Sequence, residues 1–522
     1  MQTKKAFALV ILLAFLAAGM VSAIGVQESV SQAPARFNPT GFPIVDEPIE
    51  YSAWTIDFWG VPPRHEAPII QAYAEKTNVF VVFENIPGAA NVERLNLAAA
   101  SDDWPDFFLS FFGMDTGRFV DEGALIAVDE LIDRYAPNIT AALEEHPEAR
   151  DFFTAYDGLM YTVPHINYIG ASSIGAVTGI NRPWLDRLGL SVPTTTDELY
   201  TVLRAFKEDS PNRIPMTALW ADGNRGLGAV FSAFGVLPAG RGSGTLFVLR
   251  DGEFVENLLD PGYREAIRYF SRLYREGLLD SEVFTMDHTV YDAKIGENPD
   301  GFGVVFNWTP AHFLERDVDR ARDQYYLVEP LAGPRGQRMT VSQPAGLQGT
   351  NFITKAARNP EVVIRYMDGI ADPVEGMQWD RGPVGSNIQL REDGRYHLLP
   401  ADTPGFVPRQ LNAVIWGPHG LTQSWVQENF RMDDLSNYKS ELDARYAPHA
   451  RLSAPIIKLS PEERAIVDVY LPDIRTYIIQ KEAEWVMNGT IDAEWDAFVR
   501  QLRNMNYNAL VDIHREAYLR TR

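Results

Sequence analysis

The sequence predicts an α/β protein of more than one domain, and three observations carry that prediction. Its 522 residues exceed what one ordinary hydrophobic core organises. From about Ile49, segments of strand periodicity alternate with segments of helical periodicity. The connections are short, which favours a parallel sheet covered by helices on both faces. With 46% hydrophobic and 22% charged residues, the chain has the composition of a folded globular protein and not of a disordered tail.

The N-terminus reads as an export signal. Lys4 and Lys5 precede an apolar run from Ala6 to Ala18, and Val21-Ser22-Ala23 fits the small-x-small pattern of signal peptidase, so residues 1–23 are expected to be cleaved. The alternative is a retained anchor, because Ala6 to Ile24 nearly reaches the ~20 residues of a membrane span. Residues 24–45 then read as a linker. Loss of the two lysines takes the formal charge from −23 to −25, and so acidic a protein repels nucleic acid and anionic lipid. The chain has no cysteine, so its stability must come from a large core without disulfides. It also lacks the residue that a bacterial lipoprotein needs directly after its signal.

The elements follow in order. "IEYSAWTI" is expected as a strand, "PIIQAYAEKT" as a helix with Pro68 in its first turn, "NVFVVFENI" as a strand, "NVERLNLAAA" as a helix and "DFFLSFF" as a strand. "YDGLMYTVPHINY" resembles a hairpin turned at Asp157-Gly158 and ending at Pro164. In "INRPWLDRLGLSVPTTTDELYTVLRAF" two helices carry their own boundaries: Pro183 opens the first and Gly189 closes it, while Thr195 and Glu198 have capping-box spacing at the start of the second. Leu199, Val202, Leu203 and Phe206 then share one apolar face. "YREAIRYFSRLYREGLLD" is helical with Gly277 as its stop, "GVVFNW" is a strand, and "NPEVVIRYMDGIAD" is a helix. A hairpin turns at Asp393-Gly394. The C-terminus is helical from a capping box at Ser460 and Glu463, with Pro472 expected to kink or split the helix that follows.

Catalytic signatures are missing from the sequence. There is no Gly-Lys pair for a phosphate loop, no His-Glu-x-x-His, and no Gly-x-Ser-x-Gly elbow. The carboxylate clusters at Asp102, Asp103 and Asp106 and at Asp492, Glu494 and Asp496 fit turns and helix starts. With 70 acids, such clusters arise by chance. No catalytic residue and no metal ligand is therefore assigned.

Tryptophan placement is the informative signal. Trp54 stands at the end of the first strand, Trp220 ends "IPMTALW", Trp308 ends "GVVFNW", Trp379 lies in "MQWDRG" and Trp416 in "VIWGPHG". In open α/β sheets, ligands bind beyond the carboxyl ends of the strands. Flat aromatic faces match the C–H faces of sugar rings. Each ring taken alone fits core packing as well, because tryptophan is highly buried on average; as a set, at least two are expected to line a cleft.

Several segments resemble a known family, the family 1 extracellular solute-binding proteins of bacterial ABC importers, and within it the oligosaccharide-binding branch that includes alginate-oligosaccharide binders. "AYAEKTNVFVVFENIPG" is similar to the family's helix-to-strand opening, and "DWPDFFLS" and "DGLMYTVPHINY" to its next strand and hairpin. "INRPWLDRLGLSVPTTTDEL", "GVVFNWTP", "PLAGPRGQR" and the tail "WVMNGTIDAEWDAFVRQLRNMNYNALVDIHREAYLR" also resemble it, so that the likeness covers most of the chain from Ile49. There are two departures. "FKEDSPNRIPMTAL" is too short for the calcium-loop insertion of many relatives, so no metal or other cofactor is expected. The lipoprotein cysteine of many relatives is absent too.

The resemblance implies a two-lobe periplasmic-binding-protein fold of type II-like organisation, with a hinge, an interlobe cleft and extra C-terminal helices. Each lobe would be discontinuous, residues 46–165 with 345–415 and residues 166–344 with 416–522. The implied function is capture of a carbohydrate, an oligosaccharide above all, by a periplasmic monomer that passes its closed form to the membrane subunits of an ABC permease without catalysis. Trp54, Trp220, Trp308, Trp379 and Trp416 are the expected stacking platforms, and Asp57, His165, Asn167 and Arg381 the expected polar contacts. A secreted carbohydrate-active enzyme (a hydrolase or lyase) and a sensory receptor are the rival readings, and a peptide ligand remains open.

Overall fold

A computed structural model describes residues 36–57, 60–88, 90–222, 225–239, 246–412 and 415–521. The expected signal segment and residues 24–35 of the linker lie outside the described residues.

The opening strand Ile49–Asp57 pairs in parallel with Val79–Pro87 and with Phe107–Phe108, as the alternating pattern predicts. Helices Pro68–Thr77 and Asn91–Ser101 provide the crossovers between them. The sheet does not stay parallel. Leu347–Ile353 returns from far along the chain and runs antiparallel to Phe107–Phe108 on one side and Val163–Asn167 on the other. Gly420–Leu421 closes that edge, giving six strands. The parallel-sheet expectation is thereby corrected to a mixed sheet, because only the first three strands are joined by local crossovers.

Both faces of this sheet are covered. Ala53 and Phe107 face a core with Ile70, Tyr73 and Tyr366, while their neighbours Trp54 and Phe108 face a second cluster with Ile86, Leu95 and Phe111. The period of two along a strand makes this alternation obligatory.

A second sheet of four strands, Tyr325–Val328, Val177–Asn181, Phe302–Asn307 and Ile214–Met216, has its own large core. The helix Thr196–Asp209 buries Leu199, Val202, Leu203 and Phe206 in it, and Thr195 accepts from Glu198 N at 3.1 Å. The C-terminal helices Pro461–Asn488, Ile491–Asn504 and Tyr507–Arg520 wrap the same core. Both arms of the Ser460–Glu463 capping box form. Pro472 does not split its helix, which continues to Asn488. Pro164, expected at the end of a hairpin, lies inside the strand Val163–Asn167.

Two smaller sheets complete the fold. Thr340–Ser342, Ala450–Ser453, Phe247–Arg250 and Glu253–Glu256 form one, and the hairpin Ile388–Leu390 with Tyr396–Leu398, joined by Phe430–Arg431, forms the other. The chain leaves the six-stranded sheet after Asn167, returns to it at Leu347 and leaves again after Leu421. The expected crossing at 165/166 thus falls inside a strand, and Gly420–Leu421, assigned by sequence to the second lobe, pairs with Ile166 and Asn167. The result is a two-lobe α/β protein with separate cores.

Candidate ligand-binding site

Two strand ends and three loops meet around a cavity of about 620 Å³. His165 and Asn167 come from the carboxyl end of Val163–Asn167 in the six-stranded sheet, and Trp308 follows directly on Phe302–Asn307 in the four-stranded one. Arg381 closes the helix Pro373–Arg381, and Trp416 precedes the short strand Gly420–Leu421. Of the residues expected from sequence, these are the ones that the fold brings together.

Trp308 is half-buried, with its backbone N–H held by Asn307 Oδ1 at 2.7 Å. The buried ammonium of Lys439 lies 5.6 Å from its ring centroid and is itself fixed by Ile174 O and Asp443. Trp416 is also half-buried and meets Phe112 edge-on at 4.8 Å between ring centroids. Each tryptophan therefore has one side supported by protein while its residue contributes to the cavity wall.

The polar wall is built around a carboxylate that does not line the cavity. Asp380 is fully buried. Nε of Arg409 lies 3.1 Å from its Oδ1 and Nη2 reaches the same oxygen, while Asn167 Nδ2 donates to Oδ2 at 3.1 Å. Arg381 Nε approaches Oδ2 at 3.0 Å as an ion pair, without hydrogen-bond alignment, and Arg381 Nη2 donates to Ile169 O at 3.0 Å. Burial opposes the charge on Asp380, but Arg409 and Arg381 outweigh it and hold the carboxyl well below its ordinary range.

His165 is buried, and its Nδ1 lies 2.7 Å from Gly417 O. A carbonyl only accepts, so Nδ1 carries the proton and Nε2 is left as an acceptor. Burial pushes its pKa down to about 4, against the opposing pull of the Gly417 carbonyl, so the ring is neutral at neutral pH. Behind it His419, 5.1 Å away between centroids, is pushed down to about 3 by burial and then by His165.

The facing wall is the first turn of the helix Asp434–Tyr446, with Asp433 capping it by accepting from Ser436 N at 3.0 Å. Gly170 must be glycine here: its φ is +69°, and a Cβ would stand 3.0 Å from Ser436 Oγ and 3.6 Å from Arg381 Nη2. Arg316, Arg409, Asp433, Asp434 and Gln348 all line the cavity without having been found by sequence. Arg409 opens the short helix Arg409–Asn412 with no periodicity or motif to flag it, and its partner Asp380 is 29 residues away.

Four expected contacts lie elsewhere. Trp54 is buried between Phe108, at 5.5 Å, and the guanidinium of Arg94, at 3.8 Å, because its strand runs on to Asp57 and a helix covers that face. Trp220 is buried against Phe231 and Phe270 and donates from Nε1 to Glu482 at 2.8 Å. Trp379 is fully buried against Tyr73 at 5.4 Å. It stands two residues before Arg381 on one helix, and that spacing puts the two on opposite faces. Asp57 serves a turn, accepting from Gly60 N at 2.9 Å and Val61 N at 3.0 Å.

This geometry, a cavity fed by the ends of two sheets, agrees with a family model. Residues 65–310 match the model described as bacterial extracellular solute-binding protein. Over these residues the chain is similar to that family. The chain is 29% identical to the fructooligosaccharide ABC transporter substrate-binding protein FusA of Streptococcus pneumoniae over 479 residues, 87% of each chain. It superposes on the structure of FusA in complex with kestose with a TM-score of 0.78 at 26% identity, covering 90% of this chain and 99% of that one. The alginate-binding protein AlgQ2, at 22% identity, shares the fold with a TM-score of 0.70 over 92% of this chain and 100% of its own.

Proposed function

We propose that the protein is the substrate-binding component of an ABC importer that captures an oligosaccharide in the cavity between its lobes and delivers it to a membrane permease. The observation that carries this reading is the joint placement of Trp308 and Trp416 with His165, Asn167, Arg381 and Arg409 around one cavity. Indole faces match the apolar faces of sugar rings, and the amide, imidazole and guanidinium groups match hydroxyls. The likeness to FusA over 87% of both chains supports the same reading and makes fructooligosaccharides the first ligands to test. His165 Nε2 acts as an acceptor for a ligand hydroxyl, and the arginines act as donors. No bond is made or broken in the ligand.

The lobes divide where the sheets do, with hinge segments in 168–176 and 343–346 and a third after Leu421. The mature protein begins after Ala23 and works as an unlipidated periplasmic monomer, the chain having no cysteine to carry a lipid.

A thermal-shift screen of the mature protein against kestose, other oligosaccharides and short peptides tests the reading, because a ligand of the native state raises the melting temperature by mass action. An oligosaccharide is expected to raise it by several degrees. A response to peptides alone would overturn the proposal.

A further inference from the structure

We infer that Asp380 sets the charge class of the ligand: by cancelling the guanidiniums of Arg381 and Arg409 from behind the cavity wall, it suits the cavity to an uncharged oligosaccharide and against an acidic one. The inference rests on the binding function proposed above and deepens it.

Arg316, Arg381 and Arg409 bring three cations to the cavity. Left unbalanced, such a set in a partly desolvated cleft would favour a carboxylated or sulfated ligand. The structure balances it. Asp433 and Asp434 stand on the facing wall, and Asp380 holds both Arg381 and Arg409 from the protein side. Three carboxylates thus face three guanidiniums. His165 adds no charge at neutral pH, since burial keeps it neutral, and the other imidazole on the cavity wall, His312, is paired with Asp292, Nε2 lying 3.1 Å from Oδ2. The carboxylate oxygens of Asp380 are occupied by Arg409, Arg381 and Asn167, which together form one rigid floor of oriented donors. An incoming carboxylate would have to compete with Asp380 for these donors and would meet Asp433 and Asp434 opposite. An uncharged hydroxyl takes their remaining N–H groups at no electrostatic cost. Selectivity of this kind comes from repulsion as much as from attraction.

Asp380 is a positioning residue, and its test needs a readout that a merely structural role would not move. That readout is the ratio of the dissociation constants for trigalacturonate and kestose, an acidic and an uncharged trisaccharide, measured by calorimetry. The wild type is expected to bind kestose at least tenfold more tightly than trigalacturonate. Asp380→Asn is expected to cut that preference tenfold or more, with a shift that shrinks as salt is added. In the double variant Asp380→Asn/Arg409→Gln, where both charges are gone, the preference is expected to return toward the wild-type value. Should Asp380→Asn not fold, Arg409→Gln alone carries the test: it leaves the wall one charge more negative and is expected to weaken trigalacturonate at least threefold more than kestose. Equal weakening of both ligands by these variants would overturn the inference. So would a wild type that prefers trigalacturonate, although the binding function would then stand. A wild type that binds no oligosaccharide would instead sink the function itself.

Discussion

Arg464, on the long helix Pro461–Asn488, joins the two lobes through Asp121, with Nε 3.0 Å from Oδ2 and a second contact of 3.1 Å to Asp115. The helix belongs to the core of the four-stranded sheet, while Asp121 ends a short helix whose Phe119 packs with Trp54 and Phe108 of the six-stranded one. Gly117 permits the approach, since a Cβ there would stand 1.7 Å from Arg464 Nη2. Lys458 adds a second tie, donating to Asp151 O at 2.8 Å.

This latch predicts an effect on binding without any contact to the ligand. Arg464→Ala removes an ion pair whose side chains are only 15% and 16% exposed, so its loss is expected to cost about 1–2 kcal/mol of the present interlobe arrangement. Affinity should fall about five- to thirtyfold if the ligand selects this arrangement. Small-angle scattering of the empty variant should show a larger radius of gyration. Gly117→Ala, which displaces the same side chain, should do likewise. Unchanged scattering and affinity in both variants would show that the latch holds nothing.

The tryptophans separate into two groups by experiment. Trp308→Ala is expected to weaken ligand binding by about 2 kcal/mol, or roughly thirtyfold, with little change in the melting temperature of the empty protein. Trp379→Ala, which empties a fully buried site between Tyr73 and Tyr366, is expected to cost about 3–5 kcal/mol of stability. Paired melting curves and titrations check this. A large stability loss at Trp308 would make it a core residue.

Stability should fall with acid through the histidine pair. His165 and His419 have folded pKa values of about 4 and about 3, below the unfolded value of 6.5. Between those limits the unfolded chain binds protons that the native state does not, so stability is present above pH 6.5 and is lost as the pH falls toward the folded values. By pH 5 each histidine contributes a loss of about 2 kcal/mol. His419, whose ring nitrogens have no partner among the described residues, can be replaced by Leu. His419→Leu should reduce the loss of stability between pH 7 and pH 5 by about 2 kcal/mol relative to the wild type; an unchanged pH dependence would contradict the assignment.

Sequence alone revealed those elements whose signals are local. The Ser460–Glu463 capping box, the Gly189 stop and the Asp393-Gly394 hairpin formed as expected because each is decided within a few residues. Trp308 was legible in the same way, as the first residue past a strand end. The return strand Leu347–Ile353 was not, since its partners lie about 185 and 245 residues earlier and nothing in its own pattern names them. For Trp54, Trp220 and Trp379, burial depends on helices that arrive from elsewhere in the chain. Asp380 reads as one more acid near a helix end until the fold places Arg409 and Asn167 on its two oxygens.

Calorimetric titration of the mature wild type and of Trp308→Ala with kestose tests the central claim most directly. One site per chain is expected, with a micromolar or tighter dissociation constant in the wild type, about thirtyfold weaker in the variant, and kestose recovered intact. Binding that survives Trp308→Ala undiminished, or the absence of binding to kestose and to every other uncharged oligosaccharide, would contradict the account.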